Sequence, residues 1–344
     1  MTTPLSAGAP LEPPAMPIGR RTVTFVDSSR GGRRIDADVW YPATASDAEP
    51  SHYELFPGVG FAAVSATHHP PVAPGRYPLI MFSHGRTGMR ISYSLVCEAL
   101  AARGAVVVSA DHPGDALVDW ITGQHVDDRT NEMNRVGDAH LVLGAFLFGH
   151  DELPEAIHEV VDHDRIAIAG HSYGAYTAFA AAAGSRGVGP HEHVGAVIGF
   201  QPFMRSMSDS LLGRVHVPSL LVVSEQDTVT PAHVDADRAW ALLPGRPAWR
   251  LDVAAAGHQA ISDIPLYAEL APQVVGLPQL VHDYLTATAA ENRIEGGRPW
   301  RELQRDQVRL AWAFLQVALR IDPSAGEAAA DRLAAAPGLT LQRR

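Results

Sequence analysis

Gly170-His171-Ser172-Tyr173-Gly174 sets a serine between two glycines, with one residue on either side. A serine hydroxyl is a weak nucleophile until a base takes its proton. The glycines matter because they let the backbone make a tight, strained turn that lifts the hydroxyl off the edge of a sheet. The surroundings fit that turn. Ile166 to Ala169 is a short apolar run suited to a buried strand, and Tyr173 to Ala183 reads as a helix whose N-terminus favours negative charge developing beside the hydroxyl. The chemistry is attack on an acyl carbon, with Ser172 as nucleophile.

Attack of that kind also needs a base, an acid to orient it and two N–H groups for the oxyanion, and on such a turn the chain order is serine, acid, histidine. Pro218 to Ser224 is a buried strand running into Glu225-Gln226-Asp227, which makes Asp227 the expected acid. The plainer alternative for Asp227 is a residue capping its own loop ahead of Pro231. His258 follows the last expected strand in the small-residue loop Ala254-Ala255-Ala256-Gly257, where the chain can approach Ser172 closely. It is one of 17 histidines and stands out by order and position, whereas His171 leaves the turn in another direction and is expected to be structural. The oxyanion donors are expected to be the backbone N–H of Tyr173 and that of Arg86, in the loop His84-Gly85-Arg86-Thr87-Gly88, with Gly85 providing the turn. The Arg86 side chain starts at the pocket rim, where it either offers its donor fork to an anionic ester as a substrate-binding group or pairs with a surface carboxylate. Tyr53, Phe56, Phe61, Trp120, Phe203, Met204 and Met207 are candidates for an apolar acyl pocket or for core.

These segments together resemble the bacterial branch of the platelet-activating-factor acetylhydrolase family, close to dienelactone-hydrolase-like esterases and bacterial cutinases, over roughly residues 21 to 320. The resemblance is carried by Asp36 to Pro42, Phe82-Ser83-His84-Gly85, Tyr93, Gly104 to Val108, Arg135 with Asp138, the Ser172 turn, and His258 with Asp263. It implies an α/β-hydrolase fold and a serine carboxylic ester hydrolase that works through a Ser-His-Asp triad and an acyl-enzyme, on esters of short to medium acyl groups. In the acetylhydrolase proper the acid follows the strand after the turn's helix, a place held here by Gln201. Asp227, one strand later, is similar to the dienelactone-hydrolase and cutinase arrangement. Acyltransferase or thioesterase chemistry on the same residues, or a non-catalytic ligand-binding relative, are the alternative readings.

The elements that must position these residues follow from periodicity. Leu79–Ser83, Ala105–Ala110, Ile166–Ala169, Ala196–Phe200, Leu220–Ser224 and Ala248–Val253 are apolar runs suited to parallel strands buried on both faces. Helical patterns lie between them at Ser92–Arg103, Asn131–Phe148, Tyr173–Ala183 and Ala232–Leu243. The fold class is therefore α/β, with a mostly parallel central sheet, helices on both faces and an N-terminal antiparallel hairpin over Thr22–Val26 and Ile35–Tyr41. Pro42 to Pro78 reads as surface loop, and Trp300 to Leu339 as helical, with Leu310, Phe314, Val317 and Ile321 on one face. The expected organisation is a flexible Pro-rich arm over 1–20 and a single domain over 21–344.

Composition narrows the functional classes. A net charge of −11 argues against nucleic acid, and no long apolar stretch suggests a membrane span. All 27 basic residues are arginine, so Schiff-base, pyridoxal and P-loop chemistry are excluded. Cys97 is the single cysteine and is expected to be buried and inert. The histidine pairs His68/His69 and His191/His193 read as loop residues, and the mechanism implies neither metal nor organic cofactor. The stretch Met1 to Gly19 has no basic residue and no apolar run, so it does not read as a signal peptide, and a cytoplasmic enzyme acting on a small ester is expected.

Overall fold

Alternation of apolar runs with helical patterns produces one sheet in the computed structural model, which describes residues 5–56, 58–274, 277–291, 294 and 297–344. Its strands among those residues are β1 (Leu5–Ser6), β2 (Ile18–Asp27), β3 (Arg33–Pro42), β4 (Pro50–Phe56), β5 (Val59–His68), β6 (Tyr77–Ser83), β7 (Val106–Ala110), β8 (Val161–His171), β9 (Ala196–Phe200), β10 (Ser219–Ser224), β11 (Ala248–Val253) and β12 (Leu339–Arg343). The helices are α1 (Ser94–Ala101), α2 (Leu117–Thr122), α3 (Asp128–Phe148), α4 (Glu155–Glu159), α5 (Tyr173–Ala183), α6 (Asp209–Leu212), α7 (Ala236–Leu242), α8 (Ile264–Leu270), α9 (Gln279–Glu291), α10 (Trp300–Ala318) and α11 (Pro323–Ala334).

The strand order is β1-β5-β2-β3-β7-β6-β8-β9-β10-β11-β12, with β4 paired to β5. From β7 through β11 every pairing is parallel. All residues of β7, β9 and β10 are buried, which is why their sequences run apolar without alternating. Register matters most at the C-terminal ends: Ser83 lies opposite Gly170, Gly170 opposite Gly199, and Phe200 opposite Val222. The loops carrying Gly85, Ser172, Gln201, Asp227 and His258 therefore leave the sheet side by side along one edge.

The expected hairpin is present as β2 antiparallel to β3, turning through Gly31 and Gly32 at φ +69° and +75°. The segment expected as loop over Pro42 to Pro78 instead contains a second hairpin, β4 with β5. In β5 the buried residues Phe61, Ala63 and Ala66 fall out of step between 63 and 66, and the residues between them carry no charge, so the period is faint in the sequence. The stretch read as helical holds α10 and α11, and beyond it, after Gly338, β12 pairs antiparallel to β11 and closes that edge. From Leu5 onward, the Pro-rich arm lies against the body. Leu5 pairs with Phe61, Ala7 and Leu11 are buried, and the Arg301 guanidinium donates to the carbonyls of Ala7 and Ala9. Its prolines hide this contact from any periodicity argument.

Leu310 and Phe314 of α10 are buried, Phe314 edge-on to Trp249 of β11 at 5.6 Å, which docks that helix on the sheet. Cys97 is buried in α1, and burial pushes its thiol pKa up. Among the described residues no helix is long and apolar enough to cross a membrane.

Candidate active site

Strand β8 ends at His171, and Ser172 follows at φ 53°, ψ −118°, a conformation side-chain-bearing residues rarely adopt. Three backbone bonds hold it there: Ser172 N–H donates to Phe200 O at 2.9 Å, and Ser172 O accepts from Ala175 and Phe203 at 3.0 and 3.1 Å. Both flanking glycines are required by close approach. A Cβ on Gly170 would overlap the Gly174 carbonyl, and one on Gly174 would overlap the Ser83 carbonyl at the end of β6.

The loop after β6 presses against this turn. A Cβ on Gly85 would stand 3.2 Å from Ser172 Cβ and 3.3 Å from His171 Nδ1, so glycine there relieves crowding against the turn and adopts no unusual φ. The turn itself is taken by Thr87 at φ +60°, whose hydroxyl donates to Arg86 O and whose N–H donates to Asp115 O. The backbone N–H groups of Arg86 and Tyr173 meet no protein acceptor among the described residues. Two such donors flanking the serine are what a tetrahedral oxyanion requires.

The loop is buttressed from behind by Arg135 of α3, which is fully buried. It donates to His84 O at 2.8 Å and pairs with Asp115 through two nitrogens at 2.7 and 2.9 Å. Burial alone would raise the Asp115 pKa, yet Arg135 and donors from Trp120 and Asn131 hold it below the ordinary carboxylate value. Asp138, which the resemblance groups with Arg135, faces other partners: Arg30, Arg33 and His112. His112 in turn bonds Ser83 Oγ at 2.8 Å.

Asp227 does two things at once. Its Oδ1 accepts the N–H groups of Val229 and Thr230, each at 2.8 Å, capping its own loop. Its Oδ2 accepts from His258 Nδ1 at 2.8 Å. Burial pushes the Asp227 pKa up, but His258 and the Thr230 donors outweigh it and the net direction is down. The tautomer that donates from Nδ1 leaves the lone pair on Nε2, the form a general base needs. Gln201, at the other acid position, is buried at φ +39°; its side-chain amide donates to Ser224 Oγ, and its main-chain carbonyl accepts from the Thr230 hydroxyl. It supports the Asp227 loop from below. Ser172 and His258 line one cleft together with Gly85, Arg86 and His171.

Residues 64–217 match the family described as chlorophyllase. The whole structure is similar to that of a ferulic acid esterase from Streptomyces cinnamoneus, with a TM-score of 0.72 over 99% of this chain and 100% of that one, at 23% sequence identity. This chain has the α/β-hydrolase fold. The family model that matches is chlorophyllase; the likeness to the acetylhydrolase and dienelactone-hydrolase groups rests on the motifs alone. The matched stretch contains the Arg86 loop and Ser172 and stops short of Asp227 and His258.

In this fold the Arg86 side chain is one-third exposed and already paired. It contacts Asp128 and, at 3.5 Å, Asp115, while its guanidinium carbon lies 4.6 Å from the Tyr173 ring centre. Of the residues named as acyl-pocket candidates, Tyr53, Phe61, Met204 and Met207 are core, and Phe203 stacks on Tyr173. The Phe56 side chain lies outside the described residues, and Trp120 alone borders the cleft region. The apolar cleft walls come instead from Leu55, Met89, Leu117, Ile264, Val281 and Leu285. Helix α9, which supplies two of these, had no motif to announce it.

Proposed function

We propose that this chain is a serine carboxylic ester hydrolase that forms an acyl-enzyme. The observation that carries the reading is the 2.8 Å bond from His258 Nδ1 to Asp227, beside the cleft that His258 shares with the strained Ser172. The solved structure similar to this one is named an esterase, which agrees with it.

In the proposed cycle Nε2 of His258 takes the proton as Ser172 Oγ attacks the ester carbonyl, and Asp227 stabilises the imidazolium that results. The N–H groups of Arg86 and Tyr173 receive the oxyanion. His258 then gives its proton to the leaving alkoxide, and the alcohol departs. Water, deprotonated by the same imidazole, attacks the acyl-enzyme and restores the free serine. With Arg86 paired to Asp128 and Asp115, the cleft favours a neutral ester over an anionic one.

The test is labelling with a fluorophosphonate probe together with hydrolysis of p-nitrophenyl butyrate. The wild-type chain should react with both. Ser172→Ala should lose labelling and about a millionfold in kcat. A folded Ser172→Ala protein that keeps more than about a thousandth of the turnover would remove Ser172 from the chemistry.

A further inference from the structure

Helix α10 carries two polar residues on the side it buries. Gln304 and Gln307, three positions apart and so on one face of the helix, are fully buried along with Leu303, Val308, Leu310 and Ala311. An amide in an apolar face is unfavourable unless it is hydrogen-bonded, so its partners show what it holds.

Those partners lie in the segment that follows His258. Gln304 Nε2 donates to Ser262 O at 2.7 Å, and lies 3.1 Å from Ile261 O and 3.2 Å from Asp263 Oδ1. Gln307 Nε2 donates to Ala260 O at 3.0 Å and to Leu303 O of its own helix at 3.1 Å. Three successive main-chain carbonyls, beginning two residues after His258, are thus held by two side chains of α10. Gln304 makes these bonds although its own Oε1 meets no donor among the described residues. Turning the amide over would set that oxygen against two carbonyl oxygens.

We propose that Gln304 and Gln307 are positioning residues, which set where the His258 imidazole stands relative to Ser172 and Asp227. The inference rests on the hydrolase reading and adds to it the groups that keep His258 in place.

The same amides reach the Asp227 loop. Gln307 Oε1 accepts from Gln201 Nε2 at 3.1 Å, and that nitrogen also donates to Ser224 Oγ at 2.9 Å. Ser224 ends β10, and its carbonyl accepts the Asp227 N–H at 3.2 Å. Ala260, Gln307, Gln201 and Ser224 therefore form a run of hydrogen bonds from one loop to the other. It sets their separation independently of the bond between His258 and Asp227.

The segment has need of such support. Its printed internal bonds are short turns, Ala260 N–H to Gly257 O at 3.3 Å and Ser262 N–H to Gln259 O at 3.1 Å, and turns alone do not fix a loop against the body. Its far end is tied to the start of α1, where Asp263 Oδ2 accepts from Ser94 Oγ at 2.7 Å and from the Leu95 N–H at 3.2 Å. Between that anchor and His258, the α10 amides carry the load. Displacing a reacting group by about 1 Å costs about a hundredfold in rate and leaves substrate contacts in place.

The experiment uses Gln304→Leu, Gln307→Leu and Gln307→Glu in the full chain, with folding checked by circular dichroism at the assay temperature. On p-nitrophenyl butyrate each leucine variant should lose about ten- to a hundredfold in kcat, with KM within about twofold of wild type. Gln307→Glu carries the discriminating signature. Protonated, the introduced carboxyl group donates to Ala260 O; ionised, it has no donor and opposes that oxygen. Its kcat relative to wild type should therefore rise as pH falls from about 8 to about 6, since burial holds the group's pKa up. Hydrogen exchange reads the loop without turnover: amides over 258–263 should exchange about tenfold faster in the leucine variants, with those over 219–224 unchanged. Leucine variants within about threefold of wild-type kcat overturn the proposal. So does a loss confined to KM, a Gln307→Glu ratio that is flat with pH, or unchanged exchange over 258–263. If the leucine variants do not fold, Gln307→Glu, which keeps the shape of the side chain, decides by its pH ratio. If the wild type turns over no ester, the hydrolase reading fails by itself, and exchange still decides whether α10 holds the loop.

Discussion

His171 Nε2 lies 2.8 Å from the main-chain carbonyl of His258, so the residue before Ser172 holds the loop that carries His258. The other side of the ring completes a chain. Tyr93 Oη donates to His171 Nδ1 at 2.7 Å and accepts from the Gly85 N–H at 3.4 Å. This fixes one tautomer: Nε2 carries the proton and donates to His258, and Nδ1 accepts. The Arg86 loop, the Ser172 turn and the His258 loop are thus tied through one buried imidazole.

A positioning role for His171 predicts a specific kinetic pattern. His171→Ala should lower kcat by about a hundredfold or less with KM changed little, because misplacement by about 1 Å affects the transition state more than binding. Tyr93→Phe keeps the ring and should give a smaller loss in the same direction. His171→Asn retains a donor and should recover part of kcat. Equal loss in all three, with lowered thermal stability, would instead mean a packing role.

The Ser172 turn sets function against stability. Its φ of +53° and ψ of −118° suit glycine alone. Ser172→Gly should therefore abolish ester turnover and stabilise the fold by about 1 kcal/mol or more through relief of strain. Gly174→Ala acts the other way. Its methyl would drive into the Ser83 carbonyl, and the cost should be at least about 1–3 kcal/mol. Urea unfolding of the two variants checks both signs; a destabilised Ser172→Gly would mean that the turn is not strained.

Asp227→Asn separates the two acid positions. The amide presents an N–H or an oxygen to Nδ1 and so admits the wrong imidazole tautomer; kcat should fall by about ten-thousandfold. Gln201→Ala removes an amide that touches Ser224, not His258, and should cost far less. Steady-state kinetics with p-nitrophenyl butyrate distinguishes them. An active Asp227→Asn protein would return the residue to loop capping alone.

What the sequence discloses divides along the range of the interactions. The apolar run Ala196–Phe200 and the helix Tyr173–Ala183 show their bounds because burial on both faces, or a glycine at each end, is written in consecutive residues. Ser172, Asp227 and His258 are legible for a similar reason, each following a strand in a short loop of recognisable composition. Arg135 is different. Its partners Asp115 and the His84 carbonyl are 20 and 51 residues away, and only the packing of α3 behind the loop joins them. Tyr93 and His171, 78 residues apart, are invisible for the same reason. The β4–β5 hairpin was hidden by composition: glycine, alanine and serine give a pleat with little contrast between faces.

Arg86 shows how pairing decides a role. Its guanidinium is bonded to Asp128 and lies over two aromatic rings. Arg86→Ala keeps the backbone donor, so p-nitrophenyl acetate should lose less than about tenfold in kcat/KM. A monoester of a dicarboxylic acid should lose no more than the neutral ester does. A selective rise in KM for the anionic ester would show that the guanidinium leaves Asp128 to bind substrate.

Acid stability follows from three buried histidines beside the site. Burial first, and then Arg135, pushes the His84 pKa well below its ordinary value and lowers that of His112 to about 4. Burial first, and then His258, lowers that of His171 to about 3. In the folded chain these rings stay neutral, while in the unfolded chain each takes a proton below about pH 6.5. The unfolded state then binds more protons, so stability falls as pH falls. The contribution is complete above about pH 6.5 and is lost on descending toward 4 and 3, at up to about 1.4 kcal/mol per pH unit for each ring. Asp138 and Asp227, whose pKa values are lowered, act in a separate window below about pH 4, where the unfolded carboxylates protonate. Urea titrations between pH 8 and pH 4.5 should therefore show a plateau, then a decline beginning near pH 6.5. His171→Asn removes one ring and should make that decline shallower by about a third. A profile flat down to pH 4.5 would mean that the three imidazoles accept protons without leaving the fold.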